Sequence, residues 1–170
     1  KIFLDQSERN YRQASGLSAA QAVLENKDKF GVVHGLVAEL GEVEEKYRLA
    51  LETAAGSYLS ALVVASDEVA KLAIEFLRNN RLGVATFLPL NKIEPRSPGL
   101  PADLSGVALA KSEVLTQAGV LGLAADIVKY EEKFANIFSF VFGQTVVVEN
   151  LSAAQKIGIG RARMVTLAGD

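Results

Sequence analysis

His34 is the sole imidazole in the 170-residue chain, set between two valines and a glycine in GVVHG. Imidazole catalysis or metal binding needs a second carboxylate, hydroxyl or ligand at workable spacing. No such partner can be identified around His34, which therefore reads as a structural histidine. The chain has no cysteine, which excludes thiol nucleophiles, disulfides and cysteine-bound metals and fits a reducing cytoplasm. Two carboxylate pairs, Glu44/Glu45 and Glu131/Glu132, could in principle share a proton. Adjacent carboxylates on a helix diverge, however, and each pair falls in the first turn of a predicted helix, where the macrodipole favours acids.

Phosphate chemistry fares no better. No GxxxxGK[ST] loop is present, and Gly158-Ile159-Gly160 lacks the third glycine of a dinucleotide fingerprint. That pair follows a helix where the fingerprint needs a strand, so it reads as a C-cap and loop. Gly56-Ser57 has no G-x-S-x-G context. Phe134, Phe138, Phe140 and Phe142 read as core side chains rather than a base-stacking platform. The expectation is a non-catalytic chain with no cofactor and no metal; a small enzyme built around His34 is the outlying alternative.

The net charge of −2 gives no global attraction to nucleic acid. Basic residues occur in small groups: Lys27/Lys29, Arg78/Arg81, Lys92/Arg96 and Arg161/Arg163. Weak, sequence-independent DNA contact would have to use local phosphate binding, with Lys27, Lys29, Lys92, Arg96, Arg161 and Arg163 as candidates.

These residues must be positioned by a folded domain. Apolar residues make up 49% of the chain and charged residues 22%, an ordinary globular balance. No apolar run approaches the ~20 residues of a membrane span, and the N-terminus does not read as a signal peptide. All four prolines lie in PLNKIEPRSPGLPADLSG, residues 89–106, which reads as a linker.

The sequences on either side look like copies. GLVAELGEVEEKYRLALETAAG (35–56) aligns without gaps on GLAADIVKYEEKFANIFSFVFG (122–143), at a constant offset of 87. Val43, Tyr47, Ala50, Leu51 and Ala54 in one copy match Tyr130, Phe134, Ile137, Phe138 and Val141 in the other. Both sets follow one face of an α-helix, and each helix ends at a glycine, Gly56 or Gly143. Buried strands ALVVAS (61–66) and TVVVEN (145–150) follow, then a capped helix, then a last strand, GVATFLPL (83–90) or RMVTLAGD (163–170). Ser66 caps the helix of the first half, and Asn150 or Ser152 that of the second. Each half reads strand–helix–strand–helix–strand. Ser18-Ala-Ala-Gln21 fits a capping box opening a helix to about Lys29.

The fold class is therefore α+β (mixed α/β): two pseudo-repeated subdomains, each a small mixed sheet flanked by helices, after an N-terminal helical segment. The expected divisions are 1–30 for that segment, 31–88 and 107–170 for the two subdomains, and 89–106 for the linker.

GVVHGLVAEL, EEKYRLALETAAG, ATFLPL, FGQTVVVENLSAAQ and ARMVTLAGD, taken in order over residues ~15–170, resemble the hinge domain of structural maintenance of chromosomes (SMC) proteins, more a prokaryotic than a eukaryotic one. The resemblance implies a dimerisation module midway along a long chain, joining two antiparallel coiled-coil arms. It implies a homodimer through the hinge and weak DNA contact. Kleisin and ATP would be bound only by the distant head of a full-length protein, which would be cytoplasmic, nucleoid-associated and without a membrane partner. Family hinges continue past a strand like VTLAGD into a glycine-rich segment, so dimerisation is expected to be weakened without it. Family members more often carry aspartate where Ala168 stands. Gly83, Gly119, Gly122 and Gly169 are the expected interface positions. The alternative is an α/β domain whose main role is DNA contact.

Overall fold

A computed structural model describes residues 16–94, 113–158 and 162–170. In chain order the elements are α1 (residues 16–25), a 3-10 turn (Lys27–Lys29), β1 (Val33–Leu36), α2 (Val37–Leu40), β2 (Gly41–Glu42), α3 (Glu45–Ala55) and a 3-10 stretch (Gly56–Ser60). β3 (Leu62–Val64), α4 (Asp67–Asn79) and β4 (Phe87–Pro89) follow. After the proline-rich segment come a helical turn α5 (residues 113–115), β5 (Val120–Leu123), α6 (Ala124–Ile127), β6 (Lys129–Tyr130) and a 3-10 turn (Glu132–Phe134). The chain closes with α7 (Ala135–Phe142), β7 (Val146–Val148), α8 (Leu151–Ile157) and β8 (Met164–Thr166). The elements group into two compact units: the chain up to Leu40 with Ser57–Ile93, and Gly41–Gly56 with the chain from Glu94 onward.

In the first unit the sheet order is β1-β3-β4, with β3 antiparallel to β1 and parallel to β4. The central strand LVV is buried throughout, as its unbroken apolar run requires. Ala19, Ala20 and Val23 of α1 and Val69, Ala70, Ala73 and Leu77 of α4 pack with Leu62, Val64 and Phe30 into one core. α4 starts where Ser66 accepts a hydrogen bond from the Val69 N–H at 3.4 Å. Asp67 and Glu68 then complement the helix dipole.

The second unit repeats this plan as β5-β7-β8. Val114, Val146, Val148, Ala153, Ala154 and Ile157 form one core cluster. Phe134, Ile137, Phe138, Val141 and Phe142 are buried, and the Tyr130 and Phe138 rings stack with centroids 4.6 Å apart. Phe134, Phe138 and Phe142 are core, as read from the sequence, while Phe140 is only half-buried. Asn150, one of the two expected caps, accepts from the Ala153 N–H at 3.0 Å.

The β1–β3 and β5–β7 pairings share one register. Val33↔Val64, Gly35↔Val63 and Leu36↔Leu62 recur as Val120↔Val148, Gly122↔Val147 and Leu123↔Val146, each with a bulge before the glycine. Gly35 and Gly122 take φ of 131° and 136°, a backbone that a side chain would strain. The offset is 87 as far as Gly56/Gly143 and 84 at Leu62/Val146, because the second copy replaces the 3-10 stretch with a shorter turn, and it falls to 77 at Phe87/Met164.

Several local expectations are corrected. Val43 and Tyr130 do not lie on the helices. Antiparallel pairing of β2 with β6 holds residues 41–42 and 129–130 extended, and α3 and α7 start later. Ser18 lies inside α1 rather than capping it. The strands are shorter than their apolar runs, and the one-turn helices α2 and α6 are additional to the expected order. Residues 1–15 of the expected N-terminal segment 1–30, and most of the linker, lie outside the described residues.

Candidate functional site

His34 lies on β1 and is half-buried. Among the described residues, no group of three or more His, Cys, Asp and Glu could hold a metal ion. No helix among them is long and apolar enough to cross a membrane. Gly158 is the C-cap of α8 with φ 103°, the bland reading of the Gly158-x-Gly160 pair.

Each three-stranded sheet has two edge strands, β1 and β4 in the first unit and β5 and β8 in the second. β4 and β8 are equivalent edge strands, each parallel to the buried central strand of its sheet. In the first unit the Leu62 N–H donates to the Thr86 carbonyl and the Leu90 N–H to the Val64 carbonyl. In the second, the Val146 N–H donates to the Arg163 carbonyl and the Leu167 N–H to the Val148 carbonyl. Strand alternation then turns the main-chain groups of Phe87 and Pro89, and of Met164 and Thr166, away from their own sheets.

Each edge is half closed by a different device. Pro89 has no N–H to offer. Thr166 is taken up by the last turn: its N–H donates to the Asp170 carbonyl, and its carbonyl accepts from the Gly169 N–H. The Thr166 hydroxyl also lies 3.1 Å from Asp170 Oδ2. Phe87 and Met164, which occupy equivalent registers, are left as the outward main-chain donor and acceptor positions of these two strands among the described residues. Blunted edges of this sort resist indiscriminate strand addition while leaving one short, defined contact.

The expected interface glycines fall into two kinds. Gly83, with φ 96°, lies in the exposed stretch leading to β4, and its neighbour Val84 is 82% exposed. The other three have local duties. A Cβ at Gly119 would stand 2.6 Å from Ala153 Cβ, and one at Gly169 would stand 3.0 Å from Leu49 Cγ. Gly122 forms the β5 bulge.

The described basic candidates fall in both units, Lys27, Lys29 and Lys92 in the first and Arg163 in the second. Lys27 and Lys29 are exposed on the 3-10 turn after α1, and Lys29 Nζ donates to Asn26 Oδ1 at 2.7 Å. Lys92 Nζ lies 3.7 Å from Asp67 Oδ2. The Asn91 side-chain amide donates to Asp67 Oδ1 at 2.7 Å, and this, with the nearby Lys92 ammonium, holds the Asp67 carboxyl below its usual range against the opposing desolvation. Arg163 in the second unit donates through Nη2 to the Ala54 carbonyl at 3.0 Å, in the last turn of α3. Arg96 and Arg161 lie outside the described residues. Sequence reasoning missed Phe87 and Met164 as edge positions, because both sit in apolar runs that look alike along their length.

Residues 30–158 match the family described as SMC proteins Flexible Hinge Domain. The chain belongs to this SMC hinge family. The chromosome partition protein Smc of Gloeobacter violaceus is 43% identical over 162 residues, covering 94% of this chain and 12% of that protein. The Smc protein of Synechocystis is 40% identical over 167 residues, covering 98% of this chain and 13% of that protein. The chain thus spans only a small fraction of these curated relatives. An asymmetric dimer of the Geobacillus stearothermophilus SMC hinge domain superposes with a TM-score of 0.81 at 29% identity, covering 96% of this chain and 63% of that one. The Pyrococcus furiosus SMC hinge domain gives 0.65 at 34% identity, covering 93% and 82%. The SMC hinge fold expected from the motifs is the fold found, and bacterial and archaeal Smc relatives match the prokaryotic character of the resemblance.

Proposed function

We propose that this SMC hinge domain is a non-catalytic dimerisation module of a chromosome-partitioning SMC protein. The β4 edge of one copy meets the β8 edge of another. The carrying observation is the equivalence of Phe87 and Met164, one outward main-chain position on each of two matched but differently blunted edges. A closed twofold pairing of this kind uses both edges of both copies in two equivalent contacts. Gly83 and the exposed Val84 beside β4 belong to the contact, while Gly119, Gly122 and Gly169 shape the backbone behind it. The relatives' name, chromosome partition protein, and the dimeric Geobacillus hinge support this reading. In the whole protein the hinge joins two coiled-coil arms, with ATP and a kleisin bound at a distant head and the molecule on the nucleoid.

DNA contact as the main role is the weaker reading. Arg163, Lys92 and Lys29 are each engaged by a neighbour on their own unit.

Light scattering across a concentration series tests the proposal. Self-association should bring the molar mass to twice the 18.1 kDa of the single chain. Val84→Asp and Met164→Pro should each return it to the single-chain mass with an unchanged circular dichroism spectrum. A wild-type mass fixed at the single-chain value at every concentration overturns the reading.

A further inference from the structure

The second unit is not a continuous piece of chain. Its sheet and aromatic helix come from the later half, yet Gly41–Gly56 clusters with them. Within this unit β2 pairs with β6 through Gly41↔Tyr130 and Glu42↔Lys129. A Cβ placed on Gly41 would stand 2.8 Å from both Phe138 Cε1 and Val128 Cγ1, so this backbone is pressed against the aromatic core. Ala50, Leu51, Ala54 and Ala55 form a buried apolar face on α3. At the far end Gly169 closes on Leu49 and Thr53, and Arg163 ties down the Ala54 carbonyl. None of residues 41–56 belongs to the core formed by α1, β3 and α4.

We infer that Gly41–Gly56 is a strap: an intramolecular segment from the first half of the chain whose docking completes the second unit, and whose release and the opening of that unit are one event. The covalent order of the chain and its order of opening then differ. β1, β3, α4 and β4 hold together through their own core when the strap lets go. The exit point suits this role. Gly56 combines φ 56° with ψ −131°, and nothing lies within 4 Å of its would-be Cβ, so the glycine serves the chain reversal rather than packing. Cooperative opening units need not be contiguous in sequence; they follow buried contacts.

The strap does not depend on the dimer reading. Native-state hydrogen exchange on the intact chain tests it. In the wild type, amides of α3 should share one opening free energy and denaturant slope with those of α7 and β7, distinct from those of β3 and α4. Leu51→Ala should accelerate exchange in α3, α7 and β7 together, by on the order of 30-fold or more, with β3 and α4 unmoved. Should Leu51→Ala fail to fold, Arg163→Ala gives the milder version, roughly tenfold over the same amides. Leu77→Ala, in the first core, should show the reverse pattern. α3 amides that follow β3 and α4, or one global opening for the whole chain, would overturn the inference.

Discussion

Glu42 lies directly opposite Lys129 in the β2–β6 ribbon, and Lys129 is the residue 87 positions further along, the offset of the internal repeat. A residue paired antiparallel with its own repeat equivalent marks a local twofold relation between the two short strands. That relation explains why both copies leave the helical path here: the two segments satisfy each other's main chain before α3 and α7 begin.

Gly41 pairs with Tyr130 beside that point and has no space for a side chain. Gly41→Ala should therefore force Phe138 and Val128 to shift, costing about 1–3 kcal/mol as overpacking does. Urea denaturation followed by circular dichroism measures it. A loss within error of zero would show that the ribbon can separate without disturbing the aromatic core.

Gly56 presents the opposite case. Its would-be Cβ is in open space, but φ 56° with ψ −131° is a conformation that L-residues avoid. Gly143 repeats it with φ 56° and ψ −126°. Gly56→Ala and Gly143→Ala should each lose on the order of 1–3 kcal/mol from backbone strain alone. Larger residues there should cost little more than alanine. A marked dependence on side-chain size would assign the loss to packing instead.

Much of this fold was legible because the chain states it twice. Ile137, Phe138 and Val141 of the expected face do lie on α7, the runs LVV and VVV are buried strands, and the glycines at equal offset mark the duplication in the sequence itself. β2 and β6 were not legible. GEVEEKY and VKYEEKF carry helical spacing, and a pairing between stretches 87 residues apart leaves no local trace. The strand ends were misjudged for a related reason. Residues such as Val84 and Ala85 look like strand but lie before the first β3–β4 partner, Phe87. The edge positions depend on which strand is central, and that is decided by tertiary pairing rather than composition.

Thr145 is the buried side chain whose hydroxyl has no hydrogen-bond partner among the described residues. The first copy has Ala61 at this register, since the Ala61 and Thr145 carbonyls accept equivalent bonds from the Val37 and Ala124 N–H groups. An unpaired buried hydroxyl costs about 1–3 kcal/mol. Thr145→Val keeps the shape and removes the hydroxyl, and it should stabilise the protein by about 1 kcal/mol. A rise in the thermal midpoint is the readout, and a fall would mean the hydroxyl has a partner in solution.

Asp67 gives the pH dependence its sign. The Asn91 side-chain hydrogen bond is the largest influence on it, and together with Lys92 it outweighs desolvation, placing the carboxyl below its ordinary 3.8. The folded form therefore binds this proton less readily than the unfolded chain does. The associated stability is present above the unfolded value and disappears as pH falls through the lower folded one. Asn91→Ala removes the cause, since Asn91 also accepts from the Asp67 N–H at 3.0 Å. The stability difference between wild type and Asn91→Ala should be constant near neutrality and shrink on titrating from about pH 6 to about pH 2.5. Asp67→Asn should flatten the same part of the profile. A difference that persists undiminished to the acid end would mean that the neutral hydrogen bonds of Asn91, and not the carboxylate charge, hold β4 to the start of α4.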